Sequence, residues 1–262
     1  DLGWANPGMF VPEFEQVMSR LRPGQVGEPL VSRFGVHLIE VTDRRNAPMS
    51  DQEQRTMARN AVREKKLDEA YAASRSFCER NQAIYIPPFD DFDIIAGQAT
   101  VALEIVDQLP SPADFMLVAI GGGGLAAGSG LVLKALSPGT KLIGVEPALA
   151  PSMSESLAAH QVVTLDSIDS FVDGASVKRV GAKTFGICEK VLDRMLVVEK
   201  QVLCQTMLDL YQYYGMIVEP AGALSVAALE QMRSEIQGKT VVCVISGGNF
   251  DTKRFPEIKA IA

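Results

Sequence analysis

Side chains that bind metals or cross-link a fold are scarce in this sequence, which has two histidines, four cysteines and one tryptophan in 262 residues. His37 and His160 cannot build a histidine-based metal cluster, so no metal site is expected. Cys78, Cys188, Cys204 and Cys243 are scattered, with no C-x-x-C pair. That excludes a redox dithiol or a zinc knuckle and reads as buried free thiols. No G-x-S-x-G turn and no triad is present, so a serine-hydrolase reading falls away. No apolar run approaches a membrane span. Positive charge is also in deficit: the net charge is −7 and the pI about 5.0, which argues against nucleic-acid and anionic-membrane partners. No signal peptide is visible, and the chain opens on Asp1 rather than Met, as a processed, trimmed or recombined piece would.

What is present is apolar and alternating. A hydrophobic share of 47% and a mean hydropathy of +0.11 supply ample core for one large domain or two smaller ones. Residues 1–47 are turn-rich, with Asn6-Pro7-Gly8 and Arg22-Pro23-Gly24 as turn signals, a short helix over 13–21 and an alternating strand over 34–42. Residues 48–80 read as a solvated connector helix, with a partner-binding helix as the alternative, opened by a Ser50-x-x-Glu53 capping box and carrying a thin stripe of Met57, Ala61 and Leu67. Residues 81–262 alternate strands (83–86, 115–120, 141–145, 195–198, 240–245) with helices (95–108, 125–136, 152–160, 180–191, 200–213, 221–236). Apolar strands alternating with helices predict an α/β fold with a mostly parallel twisted sheet.

The run Gly121-Gly122-Gly123-Gly124-Leu125 lies where one of these strands meets its helix. Glycines let backbone amides approach a ligand, and a helix N-terminus adds partial positive charge, so the turn reads as a phosphate cradle. A tight turn with no ligand is the plain alternative. A dinucleotide fingerprint fits loosely, through Gly122-x-Gly124-x-x-Ala127 with Glu146 ending the next strand, and would make the chain a nicotinamide-dependent oxidoreductase. Ser246-Gly247-Gly248-Asn249 and Val218-Glu219-Pro220-Ala221-Gly222-Ala223 are further turns at strand or helix ends, where open parallel sheets bind ligands. The Ser246 hydroxyl could equally cap its own turn.

From about residue 70 onward the chain resembles the latter half of the catalytic domain of threonine dehydratase, a fold-type II enzyme using pyridoxal 5'-phosphate. The motifs, in order, are I-P-P-F-D-D from Ile86, I-I-A-G-Q from Ile94, G-G-G-G-L from Gly121 and G-V-E-P from Gly144. F-V-D-G-A-S-V-K-R-V-G from Phe171, V-E-P-A-G-A-L from Val218 and S-G-G-N from Ser246 complete them. The resemblance implies that Gly121, Gly122, Gly123 and Gly124, with Leu125, hold the cofactor phosphate. It also implies that Ser246 meets the pyridine nitrogen and that Gly174 and Glu219 lie around the ring. The family reaction is deaminating β-elimination of L-threonine or L-serine to a 2-oxo acid and ammonia, in the cytoplasm.

One family feature is missing. The S-F-K-x-R-G motif with the Schiff-base lysine, and the G-N-H motif after it, occur nowhere in the 262 residues. No catalytic residue is therefore assigned. Ser152 also stands where the family often has a carboxylate near its cation position.

The opening segment resembles a second family, the parvulin peptidyl-prolyl isomerases of periplasmic chaperones. D-L-G-W from Asp1, V-P-E-F from Val11, L-x-P-G-Q-V-x-E-P from Leu21 and F-G-V-H-L-I-x-V from Phe34 carry it. It implies a proline pocket lined by Phe10 and Phe14 with His37 on its floor; from the residues alone, the three read equally as filling for a small core. Only the latter half of each family is matched, and the halves meet near Lys66–Ala73. The expectation is thus a partial α+β parvulin fragment, a connector helix and a partial dehydratase-like domain in a recombined, engineered or assembly-derived chain. Such a chain would expose core surface and self-associate.

Overall fold

The computed structural model describes residues 12–32, 35–45 and 51–262. Two compact units divide between Ala58 and Arg59. In the first, α1 (Pro12–Arg20) is followed by four short strands: β1 (Gln25–Val26), β2 (Leu30–Ser32), β3 (Gly35–His37) and β4 (Glu40–Val41). They pair antiparallel, β2 with β3 and β1 with β4. The continuous strand expected over 34–42 is thus broken at Leu38-Ile39, because its two ends pair with different partners. Ile39 turns inward at the break and is buried with Leu21. Its carbonyl accepts from the Gly27 N–H at 2.7 Å.

Helix α2 spans Asp51–Asn81, one residue beyond the expected end at Arg80; Ser50 of the expected capping box lies outside the described residues. Residues 83–86 form no strand. A strand needs a ladder partner, and no described strand pairs with this segment. The segment is held instead by Tyr85, whose ring meets Tyr71 edge-on at 5.7 Å and lies 5.5 Å from the Arg75 guanidinium. Ile84 and Ile86 are left 89% and 69% exposed.

The remaining elements are α3 (Phe92–Gln108), β5 (Phe115–Ala119), α4 (Gly124–Leu136), β6 (Lys141–Pro147), α5 (Ser152–Ala158), α6 (Ala182–Val191), β7 (Arg194–Val198), α7 (Lys200–Tyr214), α8 (Pro220–Ala227), β8 (Val241–Cys243) and α9 (Phe255–Ile261). Among the described residues the strands form one parallel sheet, ordered β7-β6-β5-β8. Period-two alternation along β5 decides the layering. Phe115 and Leu117 join a core with α7, α8, α9 and the Phe171–Ala175 loop. Met116 and Val118, with Ile120 beyond the strand, join a core with α3, α4 and α6 on the other face. The sheet is therefore covered on both sides, as continuous apolar strands require.

Several ends differ from expectation. The helix expected over 221–236 is α8 followed by a 3-10 segment, Ala228–Met232. That expected over 152–160 stops at Ala158, and His160 adopts a left-handed backbone, φ 51°. Cys188 and Cys204 are buried as expected, but Cys78 and Cys243 are only half-buried.

Gly128 sets how closely α3 and α4 approach, since a methyl group there would strike the Ile95 carbonyl and sit 2.6 Å from the Ala99 nitrogen. Gly128→Ala should push α3 outward and lower stability by about 1–3 kcal/mol, the usual range for overpacking. An unchanged urea midpoint would show that the contact is not close.

Candidate functional site

At the carboxyl end of β5 the chain enters the glycine turn. Gly123 has φ +94°, a left-handed conformation that a side chain would strain. It forms the N-cap of α4, and its carbonyl accepts the first intrahelical bond, from Ala127 N–H at 2.9 Å. The amides of Gly124, Leu125 and Ala126 are first-turn donors, which no helix can satisfy internally. They form a short positive rim.

Other expected residues gather around this turn. A methyl added to Gly121 would lie 3.0 Å from the Gly174 carbonyl oxygen. One on Gly174 would lie 3.3 Å from Glu219 Oε1 and 3.0 Å from Ala221 Cβ. Glu219 N–H donates to the Gly247 carbonyl at 3.1 Å, and its carboxylate lies against Gly247. The four loops around Gly121, Gly174, Glu219 and Gly247 are thus contiguous. Ser246 is exposed at the end of β8, where Ser225 Oγ–H holds the Val244 carbonyl at 2.8 Å.

The loop carrying Gly174 is fixed from behind. The Arg254 guanidinium lies 4.6 Å from the Phe171 ring and donates to its carbonyl at 3.1 Å. The Lys200 ammonium lies 5.1 Å from the same ring and pairs with Asp169. Residue types gave no hint of this double cation contact, because its partners are far apart along the chain.

The P-F-D-D stretch also acquires roles that spacing could not reveal. The Phe89 ring packs against Gly122, and its Cβ would lie 3.4 Å from a methyl on Gly124. The Asp90 carboxylate accepts from the amides of Ala182, Lys183 and Thr184 at 3.0, 2.8 and 3.2 Å, capping α6 from outside its own sequence. Asp91 caps α3 through Asp93 N–H at 3.0 Å and pairs with Lys183 at 3.1 Å. These bonds, the backbone one first, hold its carboxyl below the usual range. Below the turn, Thr184 Oγ–H donates to the Gly122 carbonyl at 2.7 Å and the Cys188 thiol to that of Gly123 at 3.7 Å. Burial, with the nearby Glu146 charge, pushes the Cys188 thiol up to about 12 and keeps it a donor.

Glu146, at the end of β6, is fully buried. Its carboxylate accepts from Met153 N–H at 2.7 Å and from Ser154 N–H and Oγ–H at 2.9 and 2.7 Å, at the start of α5. It therefore faces its own helix, where a nucleotide-binding acid would have to reach a ribose. Lysines with defined partners are engaged elsewhere: Lys134 with Asp193 at 3.3 Å, Lys239 with Asp114 at 3.2 Å and Lys178 with the Asp166 carbonyl at 3.2 Å. In the first unit Phe14 and His37 meet edge to face at 5.6 Å, while Phe10 lies outside the described residues. Among the described residues no cluster of metal-ligating side chains occurs, and no helix is long and apolar enough to cross a membrane.

Comparison with known proteins defines the class of this fold. The processed form of threonine deaminase isoform 2 from Solanum lycopersicum superposes with a TM-score of 0.71 at 36% identity, over 74% of this chain and 57% of that one. Maize serine racemase gives 0.66 at 30% identity, over 72% and 60%. The family model for pyridoxal-phosphate dependent enzymes matches residues 30–247, and that for the PPIC-type PPIASE domain, or rotamase, matches residues 1–43. The chain belongs to the pyridoxal-phosphate dependent enzyme family. Its fold is the parallel α/β type of those enzymes, and the rotamase match covers the small leading fragment. The biosynthetic L-threonine dehydratase of Bacillus subtilis (strain 168) is 48% identical over 193 residues, 74% of this chain and 46% of the relative. That of Staphylococcus aureus (strain bovine RF122 / ET3-1) is 47% identical over 197 residues. The chain spans about half the length of the curated relatives it matches.

Burial is the first cause that pushes the Glu146 carboxyl from its ordinary 4.5 up to about 7, against the pull of its three donors. The folded chain thus holds this proton more tightly than the unfolded chain, so stability should fall as pH rises from about 4.5 through about 7. Urea unfolding across that window checks the sign. Glu146→Gln cannot titrate and should lose the slope, while setting an amide against a donor at a cost of about 1–3 kcal/mol.

Proposed function

We propose that the 262 residues form the phosphate-holding portion of an ammonia-lyase acting on L-threonine or L-serine, and that this chain alone does not turn over substrate. The observation that carries the reading is the convergence of the Gly121, Gly174, Glu219 and Gly247 loops at the strand ends.

The residues present fit the phosphate end of pyridoxal phosphate. Gly121, Gly122, Gly123, Gly124 and Leu125 offer backbone amides at a helix start, which suits a dianion without any cationic side chain. When bound, the cofactor supplies an electron sink for the carbanion left by loss of an α-proton. Ser246 would offer its hydroxyl to the pyridine nitrogen, leaving the ring uncharged. Gly174 would lie beside the ring, and Glu219, whose N–H donates to the Gly247 carbonyl, would stand at its edge. Phe89 excludes water from one flank of the turn. No residue of the chain matches the family's Schiff-base lysine, so neither a covalent hold nor a base for the α-proton is assigned.

A second reading belongs to the first unit. The Phe14–His37 contact supports a remnant of a prolyl-isomerase pocket, and the meeting of two partial families supports a recombined chain. The exposed Ile84, Ile86 and Phe92 favour self-association.

Binding of pyridoxamine phosphate and of pyridoxamine, followed by ligand fluorescence, tests the main reading without aldehyde chemistry at surface lysines. The phosphate form should bind at least about tenfold tighter, because charge-assisted hydrogen bonds act on it alone. Equal affinity removes the cradle. Release of 2-oxobutanoate from L-threonine by the purified chain with pyridoxal phosphate would disprove the lack of turnover.

A further inference from the structure

Two carbonyls of the glycine turn, those of Gly122 and Gly123, have side-chain donors on α6, and Thr184 supplies the shorter bond. Thr184 is fully buried on the first turn of α6. Its single hydroxyl proton has two acceptors in reach, Gly122 O at 2.7 Å and Gly181 O at 3.2 Å. The shorter distance is the usual one for an O–H···O bond, so the proton goes to Gly122. No peptide bond among the described residues is cis. In a planar trans peptide the C=O and the N–H point in opposite directions. Turning the Gly122 carbonyl down onto Thr184 therefore turns the Gly123 N–H up, away from α6. The next peptide repeats the arrangement: the Gly123 carbonyl is taken by Ala127 N–H and the Cys188 thiol, so the Gly124 N–H is also directed away.

We propose that Thr184 is a positioning residue for the anion cradle, whose hydroxyl sets the peptide orientation that presents the Gly123 and Gly124 amides to a phosphate. This rests on the phosphate reading of the turn. Asp90 acts one step further back, because its carboxylate holds the amides of Ala182, Lys183 and Thr184 and so fixes where α6 begins. Phe89, one residue earlier, lies against Gly122. The turn is thus held by both Phe89 and Thr184, and both contacts depend on the same P-F-D-D segment. Glycine has no side chain to hold its own peptide plane, so an outside hydroxyl supplies the restraint.

The test uses the whole chain and two readouts: nitrogen-15 relaxation of the Gly122–Leu125 amides without ligand, and affinity for pyridoxamine phosphate. Thr184→Val keeps the shape and removes the donor. It should raise amide mobility in the turn with the sheet unchanged and weaken binding about tenfold, the ratio equivalent to one buried hydrogen bond of about 1.4 kcal/mol. Thr184→Ser should restore both. If the valine variant does not fold, Thr184→Cys, a weaker donor of similar size, should give intermediate mobility and affinity. Wild-type mobility in a folded valine or cysteine variant would overturn the proposal, and so would equal loosening of the whole domain. If wild type binds no pyridoxamine phosphate yet Thr184→Val mobilises the turn alone, the positioning role stands and the phosphate reading fails.

Discussion

Burial of β5 on both faces is the constraint on which the rest of the structure depends. Phe115 and Leu117 go into one core, Met116 and Val118 into the other. A strand so enclosed cannot shift register without carrying apolar side chains out of both. The glycine turn that follows inherits this rigidity. Its position is fixed by the core, while its amides remain free to face a ligand.

Around this anchor the loops are held by a few long-range polar contacts rather than by packing alone. Asp90 holds α6, Thr184 on α6 holds Gly122, Ser225 holds the end of β8, and Arg254 with Lys200 holds the Phe171 loop. Each contact joins a side chain on one element to a backbone group or ring on another. Contacts of this kind fix backbone donors in advance, so that little ordering entropy would be lost if an anion bound at the turn.

Two readings of the sequence fared unevenly. Phe14 and His37 do meet, although residues between them along the chain pair in two separate short ladders. The segment after α2, residues 83–86, has the apolar run of a strand and yet forms none. An apolar run cannot by itself supply the ladder partner that a strand requires.

By itself the sequence determined the class of fold, the place of the glycine turn at a strand end, the family motifs and the lack of the lysine motif. These are local properties: apolar periodicity reports burial, and glycine reports backbone freedom, each over a handful of residues. The grouping of Gly121, Gly174, Glu219 and Gly247, the capping of α6 by Asp90 and the grip of Thr184 on Gly122 were decided only by tertiary structure. They depend on the strand order β7-β6-β5-β8, which brings distant strand ends side by side. That order is set by how two cores close around one sheet, and no short stretch of residues carries it.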